Sequence, residues 1–389
     1  MTYTYAVLGA GRQGTAAGYD MARWGNAKRV IMADRDLEIA RQSAGRINDL
    51  IGRSVAEAQQ VEVTDQSAVL NLLSGVDAFL SAVPYYYNLE LTRLAIQAKA
   101  SMADLGGNTG IARQQHTFDQ AAQAAGISII PDCGQVPGLG TSLCVYAIEL
   151  LDEAQDVYMW DGGIPQNPRP PFNYLLTFHI AGLTNEYAEP AIFLRDGKIC
   201  EVEPMTELET VEFPEPIGRL EAFVAGGGTS SMPWTFKSRL RTLQNLTLRH
   251  PGHFAQLRAF WDLGLWDLKP VQVGEQQVAP RDLFHALFEP KVVFPGDKDL
   301  VIVRVKARGL KNERPAEALV ELIDYYDEET GFTAMQRATG WSAAAVLEMA
   351  AHGQTPLGAG GVESLVPAAA FVHELRQRGL NVTENIFYG

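Results

Sequence analysis

Short apolar runs alternate with amphipathic stretches through the first 150 residues of the chain. The runs are rich in valine, isoleucine and leucine, as buried strands are, and the stretches between them repeat apolar residues at helical spacing. The pattern predicts strands at residues 3–9, 29–34, 60–63, 78–82, 101–104 and 128–131, and helices at 12–24, 36–52, 88–100 and 111–126. This alternation predicts a parallel sheet with helices on both faces.

The pattern changes after about residue 152, where β-like runs are separated by turns rich in proline and glycine. The Asp196-Gly197 pair between two apolar runs is typical of a β-hairpin. The pattern predicts strands at 155–160, 174–180, 191–202, 220–225, 300–306, 319–326 and 381–387, and helices at 254–263, 281–288, 334–351 and 368–378. We therefore expect a second, α+β domain on an antiparallel or mixed sheet.

A glycine-rich motif, GAGRQG, stands between the first predicted strand and the first predicted helix. In that position its first glycine allows a tight turn, its second lets the backbone approach a pyrophosphate, and its third lets helix and strand pack closely. The free N–H groups at the start of the helix favour phosphates. The predicted cofactor contacts in this loop are Gly9, Gly11, Arg12, Gln13 and Gly14. The motif and its context predict an α/β fold with a doubly wound parallel sheet of the Rossmann type.

The residues after the second and third predicted strands bear on the choice of cofactor. Asp34 lies 20 residues after Gly14, where a carboxylate accepts from a ribose hydroxyl and repels a 2′-phosphate. This favours NAD over NADP, although Arg35 beside it is a group that could bind such a phosphate. Asp65 is expected either to reach the adenine or to cap the helix that follows it.

Three loops rich in glycine and proline follow the fourth, fifth and sixth predicted strands. Ligands of open parallel sheets bind beyond the carboxyl ends of the strands, so these loops are expected to approach the nicotinamide. Ordinary turn chemistry is the alternative. The predicted contacts are Ala82, Val83, Pro84 and Gly106.

Charge and cysteine usage narrow the class of protein. The 389 residues include 46 acidic and 32 basic side chains, a formal net charge of −14, so neither nucleic acid nor a membrane is an expected partner. The three cysteines show no metal-ligand spacing, and no signal-peptide pattern is seen. We expect a cytoplasmic protein without a metal site, acting on a small molecule.

Several longer segments between residue 7 and about residue 253 carry a family resemblance: VLGAGRQG, DLGGNTG, IIPDCGQVPGLG, GGIPQNPRPPFNY, NEYAEPAIFLRDGK, LEAFVAGGGTSSM and LRHPGH. The chain resembles the saccharopine dehydrogenase-like oxidoreductases, and among them most closely the lysine 6-dehydrogenases. The resemblance implies NAD-dependent oxidative deamination of the lysine 6-amino group. A reductase of the saccharopine or carboxyspermidine type is the first alternative, and a non-enzymatic dinucleotide-binding regulator is the second.

The resemblance also implies how the chain is organised. The dinucleotide-binding domain is expected at residues 1–135, and a domain for catalysis and oligomerisation at 136–345. The segment 346–389 is expected to return to the dinucleotide-binding domain. A homodimer or homotetramer is the expected assembly, with the active site in the cleft between the domains.

An amino-acid substrate needs a cation for its carboxylate, an acceptor for its α-ammonium, and a base for the reacting amine. Arg249 is the first choice for the carboxylate, with a surface role as the alternative. His179 and His253 are candidate bases because imidazole titrates near neutral pH, although a lone histidine is more often structural. Tyr85 is expected to bind the amine or the nicotinamide amide, or else to pack over the cleft. Glu186 is expected to hold the α-ammonium, or else to be a solvated helix residue.

Overall fold

The computed structural model describes residues 2–389. Its first part alternates strands and helices as the sequence predicts. A 3₁₀ turn at Tyr85–Tyr87 precedes the fourth helix. The elements are β1 (Tyr3–Leu8), α1 (Arg12–Arg23), β2 (Ala27–Asp34), α2 (Leu37–Ile51), β3 (Ala56–Gln60), α3 (Gln66–Leu73), β4 (Ala78–Ser81), α4 (Asn88–Ala98), β5 (Ser101–Asp104), α5 (Thr109–His116), α6 (Asp119–Ala125) and β6 (Ser128–Ile130).

These strands form a parallel sheet in the order β6-β5-β4-β1-β2-β3. Strand β1 pairs with β2 on one side and with β4 on the other, so the strand order reverses beside it. Tyr5 and Val7 enter the apolar core on one face of the sheet, whereas Ala6 and Leu8 enter the core on the opposite face. Because both faces are covered by helices, ligands reach the sheet only at the carboxyl ends of its strands.

A mixed sheet forms the second part of the molecule. Its strand order is β10-β11-β12-β7-β15-β16, with β7 and β12 parallel to each other and the β8–β9 hairpin attached to β12. The elements are α7 (Leu139–Glu149), β7 (Glu153–Pro165), α8 (Ile180–Ala188), β8 (Ala191–Arg195), β9 (Lys198–Val202), β10 (Glu209–Glu212), β11 (Arg219–Val224), α9 (Met232–Phe236), β12 (Thr242–Arg249), α10 (His253–Asp262), β13 (Val271–Val273), β14 (Gln276–Val278), α11 (Pro280–Val292), β15 (Asp299–Lys311) and β16 (Arg314–Tyr325).

The C-terminal segment contributes to both sheets. Its elements are α12 (Ala334–Gln336), a π-helical turn (Arg337–Trp341), α13 (Ser342–Ala351), β17 (Gly358–Ala359), α14 (Val362–Leu365), α15 (Ala368–Gln377) and β18 (Val382–Tyr388). Strand β17 pairs with β6 in the parallel sheet, whereas β18 pairs with β16 in the mixed sheet. The segment predicted to return to the first domain is therefore divided between the two sheets.

A buried ion-pair network fastens this segment to the first helix. The guanidinium of Arg378 lies 2.9 Å from Asp20 of α1, and 2.6 Å from both Glu348 of α13 and Glu374 of α15. A guanidinium shared by three carboxyl groups holds three helices together, because removing Arg378 would leave Asp20 and Glu348 buried without a cationic partner. Among residues 2–389, no helix is long and apolar enough to cross a lipid bilayer.

Several element predictions are wrong in position or type. The third strand lies at Ala56–Gln60 rather than at 60–63, because it is an edge strand with few apolar side chains. Residues 174–180 form no strand, and helix α8 begins where the predicted strand ends. The predicted helices at 111–126 and 334–351 are each interrupted, and neither α7 nor β12 is predicted by the sequence pattern.

Candidate active site

The glycine-rich loop leaves room for a dinucleotide. Gly9 has a φ of 99°, and a Cβ there would lie 2.6 Å from the carbonyl oxygen of Ala82. A Cβ on Gly14 would lie 1.9 Å from the carbonyl oxygen of Gly9, whereas one on Gly11 would meet no atom within 4 Å. Helix α1 therefore packs tightly on the loop and points its first turn at open space. That arrangement fits a pyrophosphate at the helix N-terminus.

Other predicted cofactor residues lie at the start of α1, around the end of β2 and after β3. Arg12, which is exposed, and Gln13, which is partly buried, begin α1. Asp34 ends β2, and its carboxylate accepts from the N–H of Ala10, at 2.9 Å, within the loop itself. Arg35 is exposed beside it. Asp65 caps α3, which is the helix-capping alternative stated above, and it accepts from a backbone N–H in the first turn of that helix.

A cavity of about 850 Å³ opens at the carboxyl ends of β4, β5 and β6. Helix α8 and the loop after β11 form its other wall, so it lies between the two sheets. The structure brings together seven residues predicted from the sequence, which all line this cavity: Ala82, Val83, Pro84, Tyr85, Gly106, His179 and Glu186. We call it the outer cavity.

The predicted aromatic and histidine candidates differ in their access to the outer cavity. Tyr85 is held against Gly107, where a Cβ would lie 2.9 Å from the tyrosine ring. His179 is exposed at the cavity, and its Nδ1 accepts from the N–H of Ala181 as the N-cap of α8. His253 is 0% exposed and lines no part of the cavity. The structure therefore does not bring His253 to the site.

Two buried carboxyl groups that are not among the predicted site residues lie at the strand ends. Asp104 ends β5 and accepts from the backbone N–H groups of Gly106, at 2.8 Å, and of Asp132, at 3.0 Å. Asp132 lines the outer cavity and accepts from the hydroxyl of Ser230. Burial, with the charge of Asp104 acting in the same direction, raises the pKa of Asp132 to about 7. A carboxyl group with such a pKa suits acid–base chemistry near neutral pH.

A smaller, inner cavity of about 30 Å³ adjoins the outer one, and the two share Val136, Phe178, Glu186 and Gly226 as walls. Most of its other lining residues are polar, and β7 and β12 contribute the larger share of them. They include Arg249, the predicted carboxylate anchor. The inner cavity is thus a polar extension of the outer one, reached past Glu186.

Arg249 is buried, but not all of its N–H groups form hydrogen bonds. Its Nε donates to the hydroxyl of Tyr187 and its Nη1 to the carbonyl of Leu248, both at 2.8 Å. Its Nη2 lies 3.7 Å from the carboxylate of Glu186. Burial raises the pKa of Glu186 to about 7, and the charge of Arg249 opposes that rise. The guanidinium therefore keeps one edge available to a ligand carboxylate.

Comparison with known proteins assigns the chain to a family. The model of the saccharopine dehydrogenase NADP binding domain matches residues 5–130, and that of the saccharopine dehydrogenase C-terminal domain matches residues 134–380. The chain belongs to the saccharopine dehydrogenase family. Its N-terminal domain binds a nicotinamide dinucleotide, which agrees with the fit of the glycine-rich loop.

Two fungal relatives and one mammalian relative show the extent of the similarity. Saccharopine dehydrogenase (NADP(+), L-glutamate-forming) of Saccharomyces cerevisiae is 22% identical over 79% of this chain and 76% of its own. The Pyricularia oryzae protein of that name is 24% identical over 61% of this chain and 52% of its own. The mitochondrial alpha-aminoadipic semialdehyde synthase of Rattus norvegicus is 25% identical over 50% of this chain and 22% of its own length. The chain thus spans about half of the Pyricularia protein and about a fifth of the rat protein.

A solved structure shows the same fold. Apo histidine-tagged saccharopine dehydrogenase (L-Glu forming) from Saccharomyces cerevisiae superposes with a TM-score of 0.80 at 18% identity. The match covers 99% of this chain and 100% of that one. The predicted fold class, a Rossmann-type parallel sheet with a second α+β domain, is confirmed.

Proposed function

We propose that the protein is an NAD-dependent dehydrogenase that oxidatively deaminates the 6-amino group of lysine. The charge of the cavity walls carries this proposal. The two cavities are lined by one arginine, Arg249, and by four carboxyl groups: Asp132, Asp161, Glu186 and Glu189. One arginine suits a substrate with one carboxylate, and the acidic remainder suits a substrate with amino groups.

The same charge distinguishes lysine from larger substrates. Saccharopine carries three carboxylates, and the described walls offer a single guanidinium for them. Two of those carboxylates would then face wall carboxylates without a guanidinium of their own, which is unfavourable because like charges repel. The cavity therefore favours a diamino acid with one carboxylate.

The chemistry begins with a proton. Only a neutral amine releases hydride, so the ammonium must first lose a proton, and we propose that Asp132 accepts it. When bound, the nicotinamide of the cofactor supplies the chemistry of hydride acceptance from C6. Loss of that hydride leaves an iminium carbon, which takes up water and releases ammonia, leaving an aldehyde. Arg249, at the other end, would fix the carboxylate so that C6 reaches the strand ends.

A saccharopine-type reaction is the second candidate, because both fungal relatives are named for saccharopine. The two functions differ in their products. We expect lysine with NAD to produce reduced cofactor and ammonia in equal amounts, whereas saccharopine, ornithine and cadaverine react more slowly. The measurement follows cofactor absorbance and enzymatic ammonia detection together. Reduced cofactor formed from saccharopine without ammonia would overturn the lysine proposal and support the second candidate.

The choice of NAD rests on Asp34. Asp34→Ser is expected to narrow the preference for NAD over NADP roughly tenfold, because it removes a carboxylate that repels the 2′-phosphate. The measurement is the ratio of kcat/KM for the two cofactors, with dissociation constants from protein fluorescence.

Asp36→Ser is the matched control for this change. It removes the same charge two residues away and keeps a side chain that caps α2. A wild-type protein that already prefers NADP would contradict the role of Asp34 and point to Arg35 as the group that controls the site.

A further inference from the structure

The inner cavity has room for a small polar group. Its volume of about 30 Å³ exceeds the roughly 10–15 Å³ that one water molecule requires. Gly163 contributes to this room, because a Cβ there would lie 2.5 Å from Met335 at the cavity wall. The inner cavity therefore has room for about two or three water-sized polar groups, such as the nitrogen and an oxygen at the end of a longer substrate.

The inner cavity has polar walls because polar residues occupy alternate positions of a strand and therefore point to the same side of the sheet. Asn245, Thr247 and Arg249 alternate along β12 and so share one face of the sheet. Asp161 of the neighbouring β7 lies opposite Thr247 in the register. All four residues are buried and line the cavity. A polar row in the middle of a buried sheet is costly unless a ligand or partner satisfies it.

Asp161 lacks a cationic partner. Its carboxylate accepts from two neutral amides, the Nδ2 of Asn245 at 2.9 Å and the Nε2 of Gln135 at 3.3 Å. It forms no ion pair with any residue in 2–389, whereas the neighbouring Glu186 lies 3.7 Å from Arg249. Burial raises the pKa of Asp161 to about 6, although the charge of Arg249 opposes that rise. A ligand cation in direct contact with Asp161 would lower the remaining cost of burying its charge.

A hydrogen-bond acceptor without a partner lies beside Asp161. Asn245 is 3% exposed, and its Oδ1 has no hydrogen-bond partner among the described residues. An ammonium group has three N–H donors, and the carboxylate of Asp161 and the Oδ1 of Asn245 can accept two of them. Both acceptors belong to the cavity that also exposes the guanidinium of Arg249.

We propose that the inner cavity binds the zwitterionic head group of an α-amino acid, with Asp161 and Asn245 accepting from the α-ammonium. The carboxylate position rests on the proposed function, in which Arg249 binds it. Asp161, rather than Glu186, holds the ammonium because Glu186 is already the partner of Arg249. The subsite would make the protein select α-amino acids over simple amines or acids that end in the same reactive aminomethyl group.

The test is equilibrium binding to the protein saturated with reduced cofactor, so that no turnover occurs. The probes are L-lysine and 6-aminohexanoate, which differ only in the α-amino group. Isothermal titration calorimetry of the wild type should show tighter binding of lysine. Asp161→Asn should weaken the binding of lysine roughly 10- to 30-fold. It should leave the affinity for 6-aminohexanoate unchanged or slightly higher.

Asp156→Asn is the matched control, because it makes the same change on the same strand at a side chain that pairs with Arg241 instead. It should leave both affinities unchanged. The unliganded Asp161→Asn protein should also melt no lower than the wild type, since the change removes the desolvation cost of a buried carboxylate that forms no direct ion pair. A lower melting temperature together with equal losses for both probes would show that Asp161 only supports the fold.

The outcomes separate the subsite from the proposed function. Equal binding of lysine and 6-aminohexanoate by the wild type, or no binding of either, would overturn the subsite even if an amine is oxidised. Lysine binding that depends on Asp161, in a protein that oxidises no amine in steady-state assays, would support the subsite and overturn the proposed function. If Glu186→Gln alone abolishes the preference for lysine, the ammonium position belongs to Glu186 and the assignment to Asp161 is wrong.

Discussion

Replacing Asp132 by asparagine is expected to lower kcat about 10²–10⁴-fold, the loss typical of a positioned general base. Asparagine keeps the size of the side chain and still accepts from the hydroxyl of Ser230, but it cannot take a proton from the substrate ammonium. It also tolerates the left-handed backbone at this position, where φ is 60°. The variant should therefore fold, and the loss is measured in steady-state assays at saturating lysine and NAD.

The pH profile gives a second readout of the same group. A base acts only in its deprotonated form, and burial raises the pKa of Asp132 to about 7. The kcat/KM of the wild type should therefore fall as the pH decreases through this value. In Asp132→Asn the acidic limb should disappear, because no proton acceptor titrates there.

Asp132 affects activity and stability in opposite directions: deprotonation raises activity, but it lowers the stability of the folded protein. Its folded-state pKa of about 7 lies above the ordinary value of about 3.9 in an unfolded chain. Its contribution to stability is fully present below the unfolded pKa and is lost as the pH rises through the folded one. Asp132→Asn should therefore melt no lower than the wild type in alkaline buffer, as measured by thermal unfolding.

Asp196→Asn is the matched control for this variant. Asp196 lies in the exposed turn of the β8–β9 hairpin and also has a left-handed backbone, with a φ of 50°. The control should retain wild-type kcat and its pH profile. Full activity of Asp132→Asn, together with loss of activity in His179→Gln, would move the proton acceptor to the imidazole at the cavity mouth.

The sequence predicts the parallel sheet well because its central strands are apolar on both faces. Strand β1 and the helices around it follow directly from that pattern. The pattern fails at β3, where the edge strand AEAQQ contains few apolar residues. It also fails at residues 174–180, because an apolar run alone does not distinguish a strand from a buried loop. Tyr174 and Leu176 of that run enter the core around α8 without joining a sheet.

The cofactor loop is predictable because its chemistry is contained in six consecutive residues, whereas the substrate groups come from distant segments. Asp132 follows β6, Asp161 lies on β7 and Asn245 lies on β12, so their proximity depends on how the sheets pack. One signal was present in the sequence. In NLTLR, the last five residues of β12, polar residues alternate with leucine, which predicts a strand end with one polar face. Only its burial in the structure shows that this face belongs to a site.

Removing Arg249 is expected to separate amino-acid substrates from simple amines. Arg249→Ala should lower kcat/KM for lysine by roughly 30- to 150-fold, because a charge-assisted contact to a carboxylate in a buried site is worth about 2–3 kcal/mol. The kcat/KM for cadaverine, which has no carboxylate, should fall much less. The kcat/KM of Arg249→Lys for lysine should lie between those of the wild type and Arg249→Ala, since an ammonium replaces the charge but not the planar guanidinium. The measurement is steady-state kinetics with both substrates.

Two properties of Arg249 determine how the result is interpreted. Its guanidinium also bonds Tyr187 and the carbonyl of Leu248, so thermal unfolding must accompany the kinetics. Arg219→Ala, on the exposed part of the neighbouring β11, is the control and should leave both substrates unaffected. Equal losses for lysine and cadaverine would mean that Arg249 supports the cavity wall rather than the substrate. Full efficiency toward lysine in a stable Arg249→Ala protein would place the carboxylate elsewhere, and the single-arginine argument for lysine over saccharopine would then fail as well.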